Sequence, residues 1–299
     1  MKTVRKNQKE LLPAIRKKYF FSLLGLVISH CCLFLSCSDI DEADRLTPVN
    51  TISRDTIPEP EPQDTIDYFA PYQRCILIED FTGQDCVNCP NATDLIASLQ
   101  EMYGHDRIVA VGIHSGPLGV KPEKNAEGLA TDVGDTYYNY WKIEMQPYGV
   151  IDRSDGPLGT DLWTAKTNWD LATEQWPATQ CNIFVDTTKP NTIHVTLAGM
   201  KGSVDGKLQL WLTEDNIQAF QKMPDGTTNK TYVHHHVLRN AVNGTWGDDC
   251  SVAQGQLWER DYTYTLNDAW KPENISIVAF VYNAAGVVQA TKVKLNTNK

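Results

Sequence analysis

The chain has 299 residues, 41% hydrophobic and 21% charged, with 27 basic against 37 acidic side chains and a formal charge of −10. This composition argues against disorder throughout, and the length suits two domains, each large enough to bury a core, without excluding one. The acidic balance argues against a nucleic-acid partner, whose phosphates need clustered Lys and Arg.

Charge is unevenly placed. Residues 1–36 carry seven basic side chains against Glu10, a net +6, which leaves −16 for the rest. The apolar run at 19–36 then reads as the core of a secretory signal peptide, 1–36. An uncleaved anchor is the alternative, since the run is close to the ~20 residues that span a bilayer. Leu33-Phe34-Leu35-Ser36-Cys37 resembles a bacterial lipobox, with the small Ser36 before Cys37 and Phe34 departing from the usual Leu. Lipidation at Cys37 is therefore expected, with the membrane as partner through that lipid and the mature chain outside the cytoplasm. Residues 37–70, acidic and bearing PEPEP at 58–62, read as an extended mobile tether. Within it, Ser38 to Glu42 resembles the acidic export signal of surface-exposed lipoproteins. Asp55-Thr56-Ile57 and Asp64-Thr65-Ile66 resemble an O-glycosylation sequon.

The folded part opens with a buried strand at 75–81, a turn at 82–85, and then Cys86-Val87-Asn88-Cys89-Pro90 leading into a helix at 92–103. Leu95, Ile96, Leu99 and Met102 recur there at helical spacing. A second strand follows at 107–114. A CxxC pair at a helix start puts one thiol where free amides and the helix dipole favour its thiolate, with the other in reach of a disulfide. Cys86 is then the candidate nucleophile and Cys89 the resolving thiol. A zinc site would need a second pair, and Cys75, Cys181 and Cys250 are scattered. No metal or other cofactor is expected.

Two residues sharpen that reading. Asp80 precedes Cys86 by six positions, as the buried aspartate of thioredoxin does, where it handles the proton of the resolving thiol; the plainer alternative is a solvated strand-end acid. Pro147, in Gln146-Pro147-Tyr148-Gly149, resembles the cis-proline facing the thioredoxin CxxC; otherwise it opens a strand in trans. Asp85 departs from the Trp usual before the first cysteine, and its charge beside Cys86 opposes a thiolate. A helical insertion is expected at about 115–146, where Tyr137, Tyr138, Tyr140 and Trp141 line a groove or, more ordinarily, fill core. His114 ends the second strand, as a proton-transfer aid or a simple strand cap.

A closing helix at 159–176 is expected to bury Leu162, Ala165, Trp169 and Ala172. From Cys181 the pattern changes to strands at 181–186, 192–199, 207–215, 256–266, 274–283 and 286–295, separated by turn signals, which suits an immunoglobulin-like sandwich. His234 and His236 would share one strand face and make half a metal site, although a packing role is more ordinary. Cys181 with Cys250 is a candidate bridge, and Cys75 reads as an inert strand thiol.

The segments ILIEDFTGQDCVNCP, VAVGIHSG, QPYGVIDR and HHHVLRNAVNGTWGD together resemble the outer-membrane-protein-28-related family of Bacteroidetes lipoproteins, over about residues 72–295. The resemblance implies an α/β thioredoxin-like domain at 71–178 followed by an all-β immunoglobulin-like sandwich domain at 179–299, held at the outer membrane and facing the cell surface. It brings no settled activity. Two functions stay open: a binding lipoprotein for an extracytoplasmic protein or peptide, with the fold as scaffold and Cys86–Cys89 structural, and a thiol-disulfide oxidoreductase using Cys86, Cys89, Asp80 and Pro147.

Overall fold

The computed structural model describes residues 66–173 and 180–297; the expected signal peptide, Cys37 and the expected tether up to residue 65 lie outside the described residues. β1 (Ile76–Thr82) is buried along its whole length, because it has a neighbour on each side and a covered face above and below. β2 (Ile108–His114) pairs with it in parallel, from Ile76↔Ile108 to Thr82↔His114. A parallel pair needs a crossover, and α1 (Cys89–Tyr103) supplies it, seating Ala92, Ile96 and Leu99 among Ile76, Ile78, Ile108 and Ala110.

The expected insertion contains α2 (Asp132–Trp141), whose start is capped by Thr131 accepting from the Gly134 amide at 3.0 Å. β3 (Tyr148–Ile151) returns antiparallel to β1, and β4 (Pro157–Gly159) adds to β3. α3 (Thr160–Thr173) follows β4 without a linker, and that junction sets its phase. Leu162, expected inside, is largely exposed. Trp163 is the buried residue instead, packed so closely on Gly149 that a Cβ there would lie 2.5 Å from its ring.

All six strand segments expected in the second half form: β5 (Cys181–Asp186), β6 (Thr192–Gly199), β7 (Val204–Glu214), β12 (Leu257–Thr263), β13 (Ile275–Asn283) and β14 (Gly286–Lys294). Four more join them: β8 (Ile217–Lys222), β9 (Thr228–His234), β10 (Val237–Ala241) and β11 (Asp248–Val252). β7 and β13 are covered on both faces. Leu208, Leu210, Leu212, Ile277 and Ala279 pack with Ile193, Val195 and Leu197 of β6, whereas Trp211, Val278 and Phe280 pack with Leu77, Val109, Val111 and Tyr137.

That second cluster belongs to both halves of the chain. A single parallel bridge, Val237↔Gly112, with the Gly112 amide donating to the His236 carbonyl at 2.9 Å, merges their strands into one sheet of order β14-β13-β7-β10-β2-β1-β3-β4, with β11 also on β7. Strands from both halves of the chain therefore lie in one sheet. Residues 66–70, the end of the expected tether, are docked: the Asn182 side chain donates to the Tyr68 and Ala70 carbonyls at 2.9 and 2.8 Å, and Tyr68 meets Phe184 edge-on.

One ion pair sits at the centre. Arg153 donates to Glu79 from Nε at 3.1 Å and from a terminal guanidinium nitrogen at 2.6 Å, with both side chains out of solvent. The guanidinium lies 4.6–5.8 Å from the ring centroids of Tyr137, Trp211, Phe280 and Tyr282. Removing one partner leaves the other buried and uncompensated, which costs about 3–5 kcal/mol. Glu79→Gln is accordingly expected to lower the unfolding free energy by that amount in urea titrations, and a loss under 1 kcal/mol would mark the pair as peripheral.

Candidate functional site

The loop leaving β1 is fixed by close approach. A Cβ on Gly83 would lie 2.3 Å from the Leu118 carbonyl oxygen, and the Asp85 amide donates to that same carbonyl at 3.0 Å. Cys86 lies in the turn ahead of α1, and Cys89 is the helix's first residue. They form a disulfide, with Cα atoms 5.4 Å apart. The Gln146–Pro147 peptide bond is cis, and Tyr148 pairs with Phe81, so Pro147 borders the strand end from which the cysteine loop departs. The Gln146 side chain donates to the carbonyls of Thr82 and Ser115, at 2.6 and 3.0 Å.

What the sequence did not disclose is the cover over this loop. The Gln221 side-chain amide, from β8, donates to the Cys86 carbonyl at 2.8 Å and to the Gly83 carbonyl at 3.2 Å. The Lys222 amide donates to the Gln84 carbonyl at 2.9 Å, and the Lys222 ammonium pairs with Asp85 at 3.0 Å. Gln84 is itself buried, donating to the carbonyls of Glu127 and Phe220 and accepting from the Leu129 amide at 2.9 Å. Cys86 and Cys89 are each 2% exposed as a result, while Val87 and Asn88 between them face solvent. The Asp85 charge expected to oppose a thiolate at Cys86 has Lys222 as a counter-ion.

Asp80 is buried in the sheet beside this disulfide, and burial pushes its carboxyl up to about 8. His114 is buried too, and burial holds its ring well below the ordinary histidine value, helped by His234. His234 ends β9, and burial brings it down to about 4. Asp80, His114, His234 and Cys89 line one small cavity.

Other expected residues lie elsewhere. His236 does not share a face with His234: the chain turns there with φ 56°, and His236 pairs with Asp215 at 3.0 Å. Among the described residues no three His, Cys, Asp or Glu side chains come together to hold a metal. The expected Cys181–Cys250 bridge is not formed. Both are free thiols in the core between the two sheets, and burial raises them to about 12 and about 11, so they pack as small neutral apolar groups. Cys75 is likewise a free thiol that burial raises to about 11. Tyr137 is core, its hydroxyl donating to the Thr245 carbonyl at 2.5 Å and accepting from Trp211, while Tyr140 is 60% exposed.

Burial also raises Asp152, to about 7, against the opposing charge of Arg74. An unfolded aspartate titrates near ~3.9, so Asp80 and Asp152 hold protons in the folded chain that they have lost in the unfolded one, and their contribution to stability falls as pH rises toward about 8. His114 and His234, kept neutral when folded, act in the opposite sense below about pH 6.5. Asp80→Asn is expected to remove the Asp80 share: the variant's urea midpoint, taken relative to that of the wild type at the same pH, should rise between about pH 5 and pH 9. A variant-to-wild-type difference that stays constant with pH would clear Asp80 of the effect.

No helix among the described residues is long and apolar enough to cross a membrane. No curated protein matches the chain significantly. Among solved structures, HBP35 of Porphyromonas gingivalis is similar over 76% of this chain and 76% of its own, at a TM-score of 0.58 and 16% identity. A protein from Agrobacterium tumefaciens is similar over 77% of this chain and 98% of its own, at 0.50 and 13% identity. At such identities the likeness is one of fold. A domain of the outer membrane lipoprotein Omp28 from Porphyromonas gingivalis is 28% identical over 40% of this chain and 91% of its own, at a TM-score of 0.27. The profile of one family, described as outer membrane protein Omp28, matches residues 134–299, more than half the sequence, and the chain belongs to that family.

Proposed function

We propose that this protein is a lipoprotein of the outer membrane, anchored through a lipid on Cys37 and displayed on the cell surface, that works by binding an extracytoplasmic protein or peptide. On this reading residues 71–178 are a thioredoxin-like scaffold. Its supports are the order β2-β1-β3-β4, the crossover α1, the return of α3 to the same face, and cis-Pro147. Residues 179–299 are the immunoglobulin-like sandwich half, with β5, β6 and β12 opposite β7 and β13.

The observation that carries the binding reading is the burial of both cysteines under β8. Disulfide exchange needs a thiolate to reach a sulfur, and a bond 2% exposed at each end, clamped by Gln221 and Lys222, offers no approach to a protein substrate. The oxidoreductase reading has support of its own in the buried acid Asp80 lining one cavity with Cys89, and it requires the β8–β9 hairpin to lift.

An insulin-disulfide reduction assay on the mature chain discriminates the two. Wild type and Cys86→Ser are both expected at the uncatalysed rate, and turnover in the wild type that Cys86→Ser abolishes would reverse the assignment. Protease treatment of intact cells is expected to shave the protein from the surface; full protection would place it on the periplasmic face.

A further inference from the structure

Two adjoining cavities of about 760 and 580 Å³ open between the last turn of α2 and the strands β7, β11 and β13. They share Tyr140, Lys207, Tyr282 and Asn283 as walls, so they form one cleft, and none of its residues lines the small cavity beside Cys89. Each is within the ~300–1,000 Å³ usual for a small-ligand site. The turn between β10 and β11 supplies one wall. Gly247, at φ 68°, lies so close to β7 that a Cβ there would stand 2.2 Å from the Leu208 carbonyl oxygen. That turn brings Trp246 against Tyr140, with ring centroids 4.5 Å apart, and Tyr140 meets Trp141 edge-on at 5.1 Å. The Tyr282 hydroxyl donates to the Trp246 carbonyl at 2.7 Å. Trp141, Trp246 and Tyr282 are thus rooted in the core that both halves share, while Tyr140 stands out of it and shows most of its ring to solvent.

The charges lining this cleft are largely spent within the protein. Lys207 pairs with Asp249 at 2.8 Å, and Arg153 pairs with Glu79 beneath the aromatic rings. Asp205 is left, exposed, and accepts from the Ser251 hydroxyl at 2.6 Å. No cluster of one sign remains to draw an ionic ligand. A purely apolar ligand would cover the Asp205 and Asp249 carboxylates without pairing them, which is costly. The cleft suits a molecule with an apolar face for the rings and, around that face, hydroxyls that donate to carboxylates and accept from an ammonium. We propose that it binds a neutral carbohydrate, a short run of pyranose rings, with the C–H face of one sugar laid on Tyr140 and its hydroxyls hydrogen-bonded to Lys207, Asp249 and Asn283.

This goes beyond the proposed function, whose partner is a protein or peptide, because it places a ligand of another class at a site of its own. An extended peptide offers one N–H and one carbonyl per residue, whereas a pyranose sets several hydroxyls around one ring, each able to donate and to accept. Carboxylates, an ammonium and an amide grouped about exposed ring faces match the second pattern. The site is also built before a ligand arrives. Tyr140 already lies against Trp141 and Trp246, so stacking on it freezes little further side-chain freedom.

The test is isothermal titration calorimetry of the full mature chain with four neutral probes, cellohexaose, maltohexaose, mannohexaose and chitohexaose, and with a heparin hexasaccharide as the charged control. At least one neutral probe is expected to bind. Tyr140→Ala, at an exposed position, should weaken that binding by about tenfold, the scale of one lost aromatic face, and Tyr140→Phe should restore most of it. Lys207→Ala should weaken it several-fold and reads the cleft independently if Tyr140→Ala does not fold. Silence from all four neutral probes overturns the proposal, as does binding that a folded Tyr140→Ala leaves unchanged. Heat from the heparin hexasaccharide alone would make the cleft a polyanion site and would overturn it too. A synthetic peptide library held by the wild type and lost by Tyr140→Ala, with the sugars silent, would give the cleft to a peptide instead. None of these results touches the choice between binding and oxidoreduction, which rests on the insulin assay.

Discussion

The pairing of Arg153 with Glu79 inside a box of four aromatic rings is the constraint on which the two halves depend. Glu79 is a β1 residue, Arg153 follows β3, Tyr137 belongs to α2, and Trp211, Phe280 and Tyr282 come from β7 and β13. A charge pair taken out of water is tolerated only when every donor and acceptor is placed, and here the guanidinium fork meets one carboxylate while the ring faces cover the rest. Arg153 and its neighbour Asp152 sit at φ 54° and φ 50°, a costly conformation for residues other than glycine. Both are held there from outside: Arg153 by Glu79, and Asp152 by Arg74 at 2.9 Å and by the Leu77 amide at 2.8 Å.

That central pair explains why the chain does not behave as a small α/β unit with a separate sandwich appended. Once Trp211 and Phe280 are packed against β1 and β2, strand β10 falls beside β2, and the hairpin ahead of it is carried across the cysteine loop. The hairpin's own sheet has only two strands, and its hold on the loop comes from Gln84, Gln221 and Lys222. Cover over the disulfide is thus a consequence of how the halves are joined.

The parts legible in the sequence were those with strong local patterns. The order strand, CxxC, helix, strand, the proline at 147 and six of the second-half strands follow from apolar periodicity and turn residues. β8 and β9 were missed because IQAFQK and TNKTYVH are mostly polar and carry no clear alternation, as befits a hairpin exposed on one side. Gln221 gave no signal, since its use depends on a loop 135 residues earlier. The spacing of His234 to His236 offers half a metal site only as the lesser alternative to a packing role. The left-handed backbone at His236 breaks that spacing, and burial turns His234 toward His114 instead. A bridge between Cys181 and Cys250 was a counting inference, and counting carries no information on whether two core thiols meet at bonding geometry.

A disulfide kept only as a staple would be most stable against an apolar wall. Around Cys89 the chain instead places a carboxyl and two imidazoles, each with an atom that no protein group satisfies. Each such atom costs about 1–3 kcal/mol if left bare. Asp80 adds a further cost above pH 8, where it must ionise while buried.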